Sequence, residues 1–87
     1  GSAKRFDTNR EAIQLIAKLI KLKNISGKVV IDPVASDHNT LRKLVGMLKN
    51  EFRDDLSITN VYGYTRGGLL ELSRSRNDRS IDELNLN

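Results

Sequence analysis

Apolar residues return along this chain at two different intervals, and the changes of interval mark its elements. Ala12, Ile13, Ile16, Leu19 and Ile20, followed by Lys23, are separated by steps of three and four, which lays an apolar stripe along one face of a helix. Thr8-Asn9-Arg10-Glu11 ahead of it has the form of a capping box, with Thr8 accepting from the amide of Glu11 and Glu11 reaching back to the amide of Thr8. The helix is therefore predicted to start at Thr8, leaving residues 1–7 as a flexible N-terminus whose Gly1-Ser2 resembles a tag scar. Lys18, Lys21 and Lys23 suit the carbonyl end of the helix dipole, and Asn24 to Gly27 tolerate the left-handed backbone that ends a last turn.

Val29-Val30-Ile31, β-branched and bounded by Gly27 and Asp32-Pro33, predicts a short strand buried on both faces. Ser36, Asp37 or Thr40 can cap a second helix, on which Leu41, Leu44, Val45, Leu48 and Phe52 repeat at helical spacing while Gly46 lies off that face. Leu56 to Tyr62 reads as a strand, residues 62–68 as a glycine-rich connection, and Leu69 to Ser73 as a further strand pairing with it in a hairpin. Beyond Arg76 the composition turns polar, and residues 77–87 are expected to form a tail with one helical turn near Ser80 to Leu84. The order is α-β-α-β-β, an α/β (α+β) domain with two helices packed on a small mixed sheet. No strand precedes the first helix, although such a helix is normally a crossover from one, so the chain is expected to belong to a larger unit.

Composition narrows the chemistry. With 87 residues, 38% of them hydrophobic and no Trp, the chain is one domain with a thin core. The absence of Cys and the single His38 exclude thiol catalysis, Cys-based zinc sites and any multi-His metal site within the chain. Fifteen Lys and Arg against eleven Asp and Glu give a charge of +4 and a pI near 9.7, which favours a polyanionic partner, nucleic acid first and an anionic membrane second. No apolar run approaches the ~20 residues of a membrane span, and no signal-peptide stretch opens the chain, so a cytoplasmic setting is the default expectation.

Asp32 ends a strand, and ligands of open α/β sheets gather beyond strand carboxyl ends. A carboxylate there can hold Mg²⁺, which keeps several waters and takes one or two carboxylates, although Asp-Pro is also a common turn out of a strand. Asp37 and His38 at a helix start can act as a dipole partner and a proton shuttle, or simply cap and face solvent. Tyr62, Tyr64 and Arg66 combine aromatic faces, a guanidinium and glycines, a composition suited to stacking on unpaired bases, or to closing a hairpin. Arg66, Arg74, Arg76 and Arg79 can neutralise phosphates, or form a solvated basic face. No GxGxxG, Walker, GxSxG or HExxH pattern occurs.

Three stretches resemble the bacterial ribonuclease E/G family: Thr8-Asn9-Arg10-Glu11-Ala12 running into residues 16–27, Lys28-Val29-Val30-Ile31-Asp32, and Val61 to Arg66 with Gly68 to Arg76. They are similar, in order, to that family's "TN-EA" helix, its "IVID" strand and its "VYGFT…GLLEMSRQR" segment, over residues 8–76. The resemblance implies part of a deoxyribonuclease-I-like catalytic subdomain, in which two aspartates hold one Mg²⁺ that activates water against a phosphodiester of single-stranded RNA, in RNA processing and decay. Its second aspartate falls on Asp32; its first belongs to an "IDVNSG"-like strand with no counterpart here, the same gap as the missing strand. Pro33 replaces the usual Phe, Val34-Ala35-Ser36 replaces "IDM", and the CPxC motif, the OB-type RNA-binding domain and the 5′-phosphate pocket have no match. The expectation is a fragment or reduced relative of an Mg²⁺-dependent endoribonuclease, weak or inactive alone. Its exposed sheet edge would be covered by another copy or by the rest of the catalytic domain. The alternatives are a small non-catalytic RNA-binding module and a structural or protein-interaction domain.

Overall fold

The computed structural model describes residues 2–34 and 37–76. Helix α1 spans Ser2–Leu22, strand β1 Gly27–Ile31, helix α2 His38–Glu51, strand β2 Ile58–Tyr64 and strand β3 Leu70–Ser75, which is the expected α-β-α-β-β order. The 77–87 tail, with Arg79 and the turn at 80–84, lies outside the described residues, as does Ser36 as a cap.

The first helix begins six residues before its capping box. The buried stripe explains this, because Phe6, Asn9, Ile13, Ala17 and Ile20 continue the helical repeat upstream, with Phe6 packed against the core. The box at Thr8 is thus inside α1, and residues 2–7 are helical rather than a loose lead. At the other end Asn24 takes φ 52°. The Ile25 amide donates to the Ile20 carbonyl at 2.9 Å and the Asn24 amide to Lys21 at 3.2 Å, the paired bonds of a Schellman stop.

The three strands lie in the order β1-β3-β2 and pair antiparallel throughout, where the sequence pattern suggested a mixed sheet. β1 is consequently an edge strand. It is not buried on both faces: Ile31 is covered, whereas Val30 remains 48% exposed on the face that carries Lys28 and Glu71. β2 starts at Ile58, leaving Leu56 outside the sheet and 87% exposed. It also runs through Tyr62-Gly63-Tyr64, with a bulge between Val61 and Gly63, so only residues 65–69 form the hairpin connection. There the Thr65 amide donates to the Leu69 carbonyl at 2.8 Å, and the turn closes through Gly68 at φ 86°.

The core is one layer between sheet and helices: Ile13, Ala17 and Ile20 from α1, Leu41, Leu44 and Leu48 from α2, Phe52 just beyond it, and Ile31, Leu70 and Leu72 from the sheet. The periodic residues of α2 supply its face as the spacing predicts, with Leu44 and Leu48 fully buried. The helices run in the same sense. Lys43 sits over the Phe6 ring at 5.8 Å near their starts, and near their ends Lys21 Nζ donates to the Glu51 carbonyl over the Phe52 ring, a cation at a helix carboxyl end.

Candidate functional site

The register determines which site residues meet. Ile31 pairs with Leu70, and Leu70 with Tyr64, so Asp32, Tyr64 and the Arg66 hairpin emerge at one end of the sheet. Asp32 is exposed. Its carboxylate has no hydrogen-bond or ion-pair partner among the described residues. The start of α2 is tied to the same end, where His38 Nδ1 stands 3.1 Å from Tyr64 Oη and the two rings are 5.7 Å apart. Tyr64 is therefore half-buried, packed on the core and tethered at its hydroxyl.

Asp37 is the residue that caps α2. Its Oδ1 accepts from the Thr40 amide at 2.8 Å, and that bond, seconded by the Thr40 hydroxyl, holds the Asp37 carboxyl below the usual carboxylate range. A carboxylate so occupied is serving the helix terminus.

The remaining expected contacts are dispersed. Tyr62 lies on the face of the sheet away from the helices, 66% exposed, with Oη 2.7 Å from Ser73 Oγ. Arg76 is exposed past the far end of β3, about 20 Å from the Leu70 end at ~3.4 Å per residue. Arg74, a candidate phosphate contact in the sequence, does not face solvent. It is 5% exposed and directed inward, donating to both oxygens of Asp55, to Asn24 Oδ1 and to the Ile25 carbonyl. The alternation of β3 is the reason: Leu70, Leu72 and Arg74 share the face under the helices.

Two cations went unnoticed in the sequence. Lys49 and Arg53, near the end of α2, line an open cleft of about 410 Å³ with Phe52, Thr59, Asn60, Val61 and Tyr62. Both are exposed and neither pairs with an acid among the described residues. Helical spacing from the Leu48 and Phe52 stripe places them on the outer side, but only the fold puts β2 beside them.

Among the described residues no group of three or more His, Asp or Glu stands close enough to hold a metal ion. A single exposed carboxylate without a partner among the described residues can supply one of the one or two that Mg²⁺ takes.

A family model described as the "Ribonuclease E/G family" matches residues 2–77. The chain belongs to the ribonuclease E/G family. Ribonuclease G of Escherichia coli K12 is 32% identical over 80 residues, which are 91% of this chain and 16% of that relative. Ribonuclease G of Haemophilus influenzae is 33% identical over 81 residues, again 91% of this chain and 16% of the relative. Ribonuclease E of Buchnera aphidicola from Acyrthosiphon pisum is 35% identical over 81 residues, 90% of this chain and 9% of the relative. The chain thus spans about a sixth or less of the length of these ribonuclease E/G relatives. No helix among the described residues is long and apolar enough to cross a membrane.

Proposed function

We propose that this chain contributes a metal-binding carboxylate and an RNA contact surface to an Mg²⁺-dependent endoribonuclease of the ribonuclease E/G family, acting on single-stranded RNA. The observation that carries the reading is Asp32, a carboxylate without partners among the described residues, at the exposed end of an edge strand in a chain of that family. Bound magnesium would supply Lewis-acid polarisation of a phosphodiester and of its attacking water. Asp32 holds the ion, and Arg66 on the neighbouring hairpin orients the phosphate. Tyr62 offers an open ring to an unpaired base. Lys49 and Arg53 take over the backbone role expected of Arg74.

One carboxylate leaves the ion mainly to water, and positioning RNA needs more surface than this sheet end offers. Cleavage by the 87-residue chain is therefore weak or nil. The test is incubation of the chain with a single-stranded oligoribonucleotide with and without Mg²⁺. RNA binding that Mg²⁺ strengthens and that Asp32→Asn weakens supports the reading. Robust cleavage abolished by Asp32→Ala would overturn the expectation of weak activity.

A second reading, a non-catalytic RNA-binding module, is favoured by the exposed Lys49 and Arg53 beside β2, cations that can serve a phosphate backbone without a metal. RNA affinity indifferent to both Mg²⁺ and Asp32→Asn would support it instead.

A further inference from the structure

Asn9 is buried in α1, 3% exposed, at a position where the stripe of Phe6, Ile13, Ala17 and Ile20 calls for an apolar residue. Ala would serve the helix better and Leu would fill the core better. A buried amide costs stability unless its polar atoms are bonded. Here Asn9 Oδ1 accepts from the Val34 amide at 2.8 Å and Asn9 Nδ2 donates to the Val34 carbonyl at 3.2 Å. One side chain thus gives Val34 the paired bonds that a neighbouring strand would give.

The site of this pairing matters because Asp32 has no side-chain anchor among the described residues. Ile31 is the last residue of β1 in register, opposite Leu70. The next fastening of the backbone is Val34, whose own side chain is 47% exposed and contributes little apolar grip. Between the two lie only Asp32 and Pro33. Pro33 has a fixed φ and restricts the residue before it to extended backbone. With the ladder holding one end and Asn9 the other, the backbone of Asp32, and with it the direction of its Cα–Cβ bond, is held from both sides.

We propose that Asn9 is a positioning residue for Asp32: by clamping Val34 it aims the Asp32 carboxylate at an oxygen-seeking divalent cation. The proposal rests on the metal reading of Asp32. Asn9 itself touches neither ion nor RNA.

The test uses the 87-residue chain and Mn²⁺ as a paramagnetic substitute for Mg²⁺ at oxygen sites. In the unaltered chain the Val34 amide should exchange about five- to tenfold more slowly than an unbonded exposed amide, the worth of one net hydrogen bond. Asn9→Ala should remove that protection while the amide of Leu72, in the central strand, stays protected. It should also weaken Mn²⁺ binding, read as broadening around Asp32, by about tenfold, as loss of an outer support does at metal sites. Should the alanine chain not fold, Asn9→Leu restores the apolar volume and is read in the same way. An unprotected Val34 amide in the unaltered chain overturns the clamp whatever the variants do. Broadening that depends on Asp32 but is unchanged in a folded Asn9 variant overturns the positioning role and leaves the metal reading standing. Broadening that persists in Asp32→Asn overturns the metal reading and the positioning role with it.

Discussion

Arg74 and Asp55 form a two-pronged ion pair, Nε to Oδ2 at 2.7 Å and Nη2 to Oδ1 at 3.0 Å, with side chains only 3% and 7% exposed. Arg74 Nη1 also donates to Asn24 Oδ1 and to the Ile25 carbonyl, each at 2.9 Å. One guanidinium therefore joins three segments: the end of α1, the α2–β2 connection and the last pairs of β3. A residue whose sequence context suggests either a phosphate contact or a solvated basic face is a fastening of the fold.

Removing one partner of such a pair leaves the other charge buried. Arg74→Ala should cost about 3–5 kcal/mol, a large share of the roughly 5–15 kcal/mol that keeps a domain folded. Urea denaturation followed by circular dichroism measures this. An Arg74→Ala chain with unaltered midpoint would show that the pair is not holding these segments together.

The same pair predicts a pH dependence. The hydrogen bonds from Arg74, helped by those from the Ser57 amide and the Thr59 hydroxyl, hold the Asp55 carboxyl below its ordinary range despite its burial. A carboxyl depressed in the folded state binds its proton more readily when unfolded, so its contribution is complete above the unfolded value of about 4. It is lost as pH falls through the lower folded value. Asp37 acts in the same direction through Thr40. Denaturation midpoints should be level from pH 7 to about 5 and fall below about 4, and the fall should be shallower in Asp55→Asn.

Ser57 is 8% exposed, and its Oγ has no hydrogen-bond partner among the described residues. Deleting an unbonded buried hydroxyl removes no interaction, so Ser57→Ala should change stability by no more than about 0.5 kcal/mol in the unfavourable direction. A loss above about 2 kcal/mol in thermal denaturation, the size expected when a bonded buried group is orphaned, would contradict this.

RNA binding separates the outward cations from the inward one. If Lys49 and Arg53 each neutralise a phosphate, replacing either by Ala should lower the slope of log affinity against log salt by about 0.7 for single-stranded RNA. Tyr62→Ala should cost about 1–3 kcal/mol of binding if one base stacks on its ring. Fluorescence titration at several salt concentrations measures both. Slopes indifferent to Lys49 and Arg53 would remove the α2–β2 cleft from the RNA path.

Much of the architecture is legible in residue order because it rests on local physics. The period of Leu41, Leu44, Leu48 and Phe52 makes an amphipathic helix wherever it lands, and Asn24 with its tolerance of positive φ ends α1 where expected. Turn chemistry alone also foretold the hairpin through Gly67-Gly68, although β2 keeps Tyr62 and Tyr64 in the strand. The start of α1 lies upstream of Thr8 because a capping box is only a local preference. Continued burial of Phe6 and Asn9 outweighs it.

Residue order alone determined the sequence of elements, the apolar faces of both helices and the placing of Asp32 at a strand end, since each follows from neighbours a few positions apart. Strand order could not be read that way. Val29-Val30-Ile31 reads as a strand buried on both faces, and only the placement of both helices on the face of Leu70 and Leu72 left Val30 exposed on the other. The same placement turned Arg74 inward onto Asp55, 19 residues away, and brought Asn9 to Val34, 25 residues away. Those partners are chosen by which chain segments the core draws together, and a charge or an amide in a sequence carries no mark of the segment that will satisfy it.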